Sequence, residues 1–121
     1  MIQHSESHLR LKNCLQVIVE LLVQRKYEAL EKLSLGVRLT AEQIAIAVEE
    51  YGKTLILPPT NSYDTADVIS IENVVIPEYS VRFRLFTLEE GQSDLEIQLT
   101  MIDQPTQNFP MRIELDNILV A

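Results

Sequence analysis

Apolar side chains recur at every third or fourth position over the first part of the chain, which is the spacing of one face of an α-helix. The stripe runs from Leu11 through Cys14 to Leu22 and predicts a long helix that is buried over a broad arc. The period loses step near Arg25, where we expect the helix to bend before the stripe continues. Gly36 follows as a stop signal, because glycine readily adopts the left-handed conformation that ends helices.

A second helix is predicted from its start signal. Thr40 is followed by Gln43, which is the capping-box pattern that begins a helix. Apolar residues at helical spacing come next, and Gly52 ends them. The turn-forming residues 58–65 then separate the helical part from the rest of the chain.

Apolar and polar residues alternate in the second half of the chain, which is the period of β-strands with one buried face. Three strands are predicted clearly, a weaker one lies near 68–76, and residues 53–57 add a short extended piece. The residues predicted to face the core are Tyr79, Val81, Phe83 and Leu85, then Leu95, Ile97, Leu99 and Met101, then Met111, Ile113 and Leu115. From Val81 onward this inward set lacks polar groups, so we expect a packed core between helices and sheet.

These elements predict an α+β fold in which N-terminal helices pack on one face of a curved antiparallel sheet of about four strands. The chain has 121 residues, a length that suits one domain. Within a single domain 1–121, we expect residues 1–8 to form a flexible arm, 9–52 the helical part and 66–121 the sheet.

The two faces also predict the register of two hairpins, because a slip of one residue would exchange the faces. Closing the first hairpin over residues 89–93 pairs Leu88 with Asp94. Closing the second over its proline-bounded loop pairs Leu99 with Ile113.

Four apolar residues break the alternation at one end of the sheet. Phe86, Leu88, Ile118 and Val120 fall on the polar face, opposite the helices. Cover by the N-terminal arm or the 58–65 loop, or a bulge that changes the register, would explain them structurally. The functional interpretation is an interface, because exposed apolar patches mark contact sites.

An acidic row is predicted beside this patch. The registers set Glu96 opposite Asp116, with Asp94 one step along the same face. The net charge of −8 lies in the second half of the chain, where eleven acidic residues accompany three basic ones. Such charge would keep a small domain soluble, and it would also attract a basic partner and oppose self-association. We therefore weigh a basic partner protein against a homodimer through the patch.

Composition excludes several classes of protein. No cluster of Lys and Arg suits nucleic acid, and no apolar run reaches the roughly 18 residues of a membrane span. The polar start from Met1 to His8 lacks the pattern of a secretory signal, and a single cysteine cannot form an internal disulfide. We expect a cytoplasmic protein that binds neither nucleic acid nor membrane.

Candidate catalytic and metal-ligating residues are sparse. His4 and His8 would share a helix face, but no third ligand follows at metal spacing. Cys14 lies on the apolar stripe and is not followed by a histidine base, so we expect a buried thiol and not a nucleophile. The acidic 89–94 turn lacks the spacing of a calcium loop. We therefore predict no catalytic residue, no metal ligand and no cofactor.

Two segments carry a resemblance to other proteins. One runs from Val37 to Pro59 and contains EYGKTLILPP, and the other, which begins at Leu85, contains EEGQSDL. Together they resemble an uncharacterised family of short bacterial proteins, from about Leu15 to the C-terminus, which implies no activity. The order of helices then strands also resembles the cystatin-like and NTF2-like superfamily, in which a curved sheet wraps a long N-terminal helix. Its members include enzymes, dimerisation modules and toxin-immunity proteins, so the resemblance leaves the function open.

The residues and the resemblance together favour a non-enzymatic protein-binding or dimerisation module of immunity or regulatory type. The alternative is a small-molecule-binding protein or small enzyme with a pocket between the helices and the sheet. An enzyme of this fold would need polar groups that converge in that interface, and the inward set does not provide them.

Overall fold

Helices form the N-terminal part of the protein. The structure, a computed structural model, describes residues 2–107 and 109–121, and of residues 2–5 it describes the backbone alone. The helices are α1 (Ile2–Val23), α2 (Tyr27–Leu33) and α3 (Ala41–Tyr51), and a short 3₁₀ helix follows at Thr60–Thr65. The predicted bend is a break, because Arg25 adopts a left-handed conformation (φ 60°) between α1 and α2.

The predicted capping box begins α3. The Thr40 hydroxyl accepts a hydrogen bond from the Gln43 amide at 3.2 Å, and the Gln43 side chain accepts one from the Thr40 amide at 2.9 Å. Such a cap stabilises a helix by roughly 1 kcal/mol, because it satisfies amides that have no partner within the helix. Gly52 ends the helix in the left-handed conformation (φ 74°).

Five strands form one antiparallel, strongly curled sheet, which confirms the α+β fold. They are β1 (Leu55–Ile56), β2 (Asp67–Ser70), β3 (Glu78–Thr87), β4 (Gly91–Ile102) and β5 (Arg112–Val120). The order is β1-β3-β4-β5, and β2 pairs with the other end of β3. Strand β5 therefore lies at one edge of the sheet. In the described part of the chain, no helix has the length and apolar character that would let it cross a membrane.

The core lies between the helices and one face of the sheet, as the alternation predicts. Val81, Leu85, Ile97, Leu99 and Leu115 are each at most 1% exposed. The helices contribute a matching apolar face, which consists of Leu11, Cys14, Leu15, Ile18, Val19 and Leu22 in α1, Leu30 in α2, and Ile44 and Val48 in α3. The 3₁₀ helix adds Tyr63, whose ring stacks on that of Phe83 at 5.3 Å.

The segment predicted to be a flexible arm is helical from Ile2 onward. Ser7 is buried and accepts a hydrogen bond from the Tyr79 hydroxyl at 2.7 Å. Arg10 donates to both carboxylate oxygens of Asp103, at 2.9 and 2.6 Å. These contacts bind the first turns of α1 to the far end of the sheet, although the sequence around them is polar.

The predicted register of the first hairpin is wrong. Thr87 pairs with Gly91, so the turn is shorter than predicted and Leu88 has no partner in β4. The Thr87 hydroxyl closes this turn by accepting a hydrogen bond from the Glu90 amide at 3.0 Å. A bulge in β4 then accommodates the extra residues, and the Ser93 hydroxyl within it donates to the carbonyl of Leu85 at 2.7 Å.

The predicted register of the second hairpin is also wrong. Leu99 pairs with Leu115 and not with Ile113. A bulge leaves Asp116 as an extra residue in β5, because Gln98 pairs with Asn117. One extra residue exchanges the two faces of a strand from that point onward. Every side chain of β5 after the bulge therefore points to the face opposite the one predicted.

Candidate protein-binding surface

The four residues of the predicted interface patch do not lie together. Phe86 is half-buried on the outer face of β3, and Leu88 follows the strand with 71% of its surface exposed. Ile118 pairs with Ile97 on the helix-facing side and is 6% exposed. Val120 lies on that same side but at its margin, where it is 58% exposed. The outer position predicted for Ile118 and Val120 is wrong, and a bulge that changes the register, one of the structural alternatives given for them, is the reason.

The three residues of the predicted acidic row interact mainly with neighbours in the sheet. Asp116 accepts a hydrogen bond from the Thr100 hydroxyl at 2.7 Å. Glu96 is 9% exposed and accepts one from the side-chain amide of Gln98 at 3.0 Å. Asp94 is exposed, and its nearest cation is Arg84 at 3.8 Å, too far for a strong ion pair.

A cleft opens between α3 and the C-terminal end of β5, and we call it the α3–β5 cleft. Its volume is about 480 Å³. Its walls are Gln43, Ile46, Ala47, Glu50 and Tyr51 of α3 and Leu95, Ile118, Leu119 and Val120 of the sheet. These residues are mostly apolar, and they include one carboxylate and no cation. Ile46 is 47% exposed, so two large aliphatic side chains, Ile46 and Val120, meet solvent here.

Contacts at both ends of α3 hold the cleft in place. At one end, the Arg38 backbone forms a parallel bridge with Leu115, and its guanidinium lies 3.5 Å from Glu114 and 3.3 Å from Asp116. At the other end, the Tyr51 hydroxyl donates to Glu90 at 2.8 Å, and this hydrogen bond raises the pKa of the phenol. The helix is thus tied to the edge of β5 and to the β3–β4 turn.

Comparison with known proteins identifies a family. Residues 19–121 match a family described as a domain of unknown function, DUF7668. The chain belongs to the DUF7668 family. No match is found among curated proteins, and none is found among solved structures. The DUF7668 region begins inside α1 and includes α2, α3 and all five strands, so both walls of the α3–β5 cleft lie within it.

A second exposed apolar surface of the DUF7668 region lies on the β2–β3 connection, which we call the 71–77 loop. Val75 is fully exposed at its tip, and Val74 and Ile76 are more than a third exposed. The sequence signal for this loop is the run of three aliphatic residues just before Pro77. The sequence analysis included that run in the weak strand predicted near 68–76.

The remaining polar candidates are explained by local contacts. The Glu89 carboxylate accepts hydrogen bonds from the amide and hydroxyl of Thr54, at 2.9 and 3.1 Å, and these bonds lower its pKa. Cys14 is 3% exposed, and burial raises the pKa of its thiol to about 11. The side chain of His4 lies outside the described residues, and the ring of His8 lies edge-on to Tyr79 at 5.2 Å. Among the side chains that are described, no three of His, Cys, Asp and Glu lie close enough together to hold a metal ion.

Sequence reasoning missed Ile46, which forms the helix wall of the cleft. Its neighbours Ile44 and Val48 belong to the buried stripe of α3, and they are 0% and 7% exposed. Ile46 lies between them in sequence, and so on the opposite side of the helix. The usable signal was this extra isoleucine off the stripe, where a helix surface normally carries a polar residue.

Proposed function

We propose that this DUF7668 protein is a non-enzymatic protein-binding module, and that the α3–β5 cleft is its binding surface. The observation that carries the proposal is the exposure of Ile46 and Val120 on facing walls of one concave, mostly apolar site. Concave apolar surfaces with a polar rim are where partner side chains can be desolvated. The packed, apolar interface between helices and sheet supports a binding role over an enzymatic one.

Site-specific photo-crosslinking tests this proposal. A photoreactive amino acid replaces Ile46 in one variant and Val75 of the 71–77 loop in a matched variant, and the cells that make the protein are irradiated. We expect a covalent adduct of one defined mass from position 46, lost when Val120 is also changed to Asp. Adducts from position 75 alone would contradict the proposal, because they would assign binding to the loop.

A homodimer is the competing arrangement within the same class. A two-fold contact through the cleft would bring the Glu50 carboxylates of the two copies close together, which opposes association. We therefore expect wild type to sediment as a monomer at high micromolar concentration. If it is a dimer, and Val120→Glu makes it monomeric while Val75→Glu does not, the cleft is a self-association surface.

Small-molecule binding is a second candidate for the same site. The cleft volume of about 480 Å³ falls in the range of ligand pockets. Three polar groups, those of Gln43, Glu50 and Tyr51, line it. A fragment screen by thermal shift tests this candidate, and a hit that Ile46→Asp abolishes and Val75→Asp does not would favour it.

Three more specific expectations, on the biological role, the superfamily and the cellular location, are part of this proposal. An immunity or regulatory role suits a binding module, and the long α1 beside a curled sheet is consistent with the cystatin-like or NTF2-like resemblance. A cytoplasmic location is supported by the single cysteine, which is a buried thiol. An experimental structure of this protein tests the resemblance in fold, and fractionation of the native cells tests the location.

A further inference from the structure

Strand β5 presents part of its backbone to the α3–β5 cleft. The amide of Ala121 donates to the carbonyl of Asp94 at 2.8 Å, and Leu95 pairs with Val120. In an antiparallel ladder this makes the Leu95–Val120 pair a non-hydrogen-bonded one, so the amide and carbonyl of Val120 point away from β4. The same alternation turns the backbone of Ile118 outward.

The outward backbone amide of Ile118 forms a hydrogen bond with a neighbouring side chain in place of a neighbouring strand. It donates to the side-chain oxygen of Asn117 at 3.0 Å. A side chain that bonds an edge amide in this way protects the strand from unwanted pairing, and an incoming carbonyl can displace it. The edge nearer the start of β5 is different, because there the Arg38 backbone lies against Leu115. The unoccupied stretch of edge is therefore the part that borders the cleft.

A groove between an edge strand and a helix is suited to an extended chain. An added strand would pair with the outward groups of Ile118 and Val120, and its side chains would alternate between the two faces of the sheet. The side chains on the helix-facing side would enter the cleft against Ile46 and Ala47. Those on the other side would lie beside Leu119, which pairs with Glu96 on the outer face.

The charges around the cleft indicate which kind of extended chain would bind there. Glu50 lines the cleft, and Glu90, bonded to Tyr51, lies at its rim. On the outer face, Asp94 is exposed and has Arg84 at 3.8 Å, and Asp116 is 30% exposed as a side chain and has Arg38 at 3.3 Å. Among the described residues no cation lines the cleft itself, so Glu50 and Glu90 attract a cationic segment, whereas a second copy of this chain would bring carboxylates together.

We infer that the cleft binds an extended segment of another protein, with apolar and Lys or Arg side chains in alternation, as a strand added to β5. This inference rests on the proposed function and names the partner's chemistry. The affinity then comes from backbone hydrogen bonds and apolar burial, and the carboxylates select the charge.

The test uses a labelled, end-capped eight-residue peptide of alternating valine and lysine, titrated with the full chain by fluorescence anisotropy. A valine–glutamate peptide is the charge control. Two further isomers carry N-methyl groups either on every valine or on every lysine, so that each blocks one edge of the extended peptide. We expect the valine–lysine peptide to bind, the glutamate peptide not to bind, and one N-methyl isomer to bind at least about tenfold more weakly than the other.

Protein variants test the same contact from the other side. Val120→Pro removes an outward amide and leaves the ladder to β4 intact, and Val120→Thr keeps that amide with a side chain of similar shape. We expect the proline variant to bind about tenfold more weakly than the threonine variant, because the two differ in the outward amide. Glu50→Lys should also weaken binding, whereas Glu28→Lys on α2 should not.

The outcomes separate this inference from the proposed function. If N-methylation and Val120→Pro have no effect while Ile46→Asp abolishes binding, the strand addition is refuted and the cleft remains a protein-binding site. If no form of the peptide binds wild type at millimolar concentration, the inference is refuted, and photo-crosslinking from position 46 still decides the proposed function.

Discussion

Leu99→Ala is the substitution that tests the core most directly. Leu99 is 1% exposed in the central strand β4 and lies between Val81 and Leu115, which are 0% exposed. Removing its three outer carbon atoms forfeits about 2.4 kcal/mol of transfer free energy, at about 0.8 kcal/mol per methylene. The neighbouring strands are hydrogen-bonded on both sides and cannot collapse fully. A residual cavity of about 50 Å³ therefore adds about 1 kcal/mol, at about 24 cal/mol per Å³. We expect the free energy of unfolding to fall by about 3.5 kcal/mol.

Urea unfolding followed by far-ultraviolet circular dichroism measures this loss, because the chain contains no tryptophan to report on it. Leu88→Ala is the matched control, since Leu88 is 71% exposed and the same atoms are removed. We expect the control to change stability by no more than about 0.5 kcal/mol. A loss below about 1 kcal/mol for Leu99→Ala, or equal losses for the two variants, would refute the inward assignment of this face.

Three further predictions concern pH, thiol reactivity and metal. Arg10 lowers the pKa of Asp103 through their hydrogen bonds, so Arg10→Met should destabilise the fold near neutral pH. The difference in unfolding free energy between wild type and the variant should persist down to about the ordinary pKa of aspartate. It should vanish as the pH falls through the lowered pKa of Asp103. Acid unfolding curves measure this difference, and a value that stays constant down to pH 2 would contradict the assignment. Because burial raises the pKa of Cys14 to about 11, a thiol reagent at pH 8 should react at least about a hundredfold more slowly with native than with urea-unfolded protein, and equal rates would contradict its burial. Calorimetric titration with Zn²⁺ should show no tight site, and a submicromolar site abolished by both His4→Ala and His8→Ala would overturn that prediction.

Periodicity and capping signals predict much of this fold because they act within a few residues. The capping box at Thr40 forms as predicted, and the inward faces of β3 and β4 follow the alternation. The two bulges were not predictable in the same way. The Ser93 hydroxyl bonds to the Leu85 carbonyl at the β4 bulge, and Arg38 lies beside Asp116 at the β5 bulge. The alternation of apolar and polar residues does not encode either contact.

The candidate surface differs from the predicted one because β5 contains one extra residue, Asp116. The sequence correctly singled out Val120 as an apolar side chain without an obvious place in the core, but the extra residue in β5 turns it toward α3 and not toward the outer face. There it lines the α3–β5 cleft together with Ile46, which the sequence analysis did not single out. A pattern that depends on parity along a strand cannot survive an unrecognised insertion.

The contacts made by the first turns of α1 have a consequence for the family as a whole. The DUF7668 match begins at residue 19, yet Leu11 and Leu15 complete the core and Ser7 bonds to Tyr79 on β3. The matched region and the part of the chain that builds the core therefore differ in this protein by more than three helical turns. A relative that shares only the matched region needs another way to cover the sheet end that carries Tyr79. The segment that precedes the match is the part of such chains where divergence in length and sequence should be greatest.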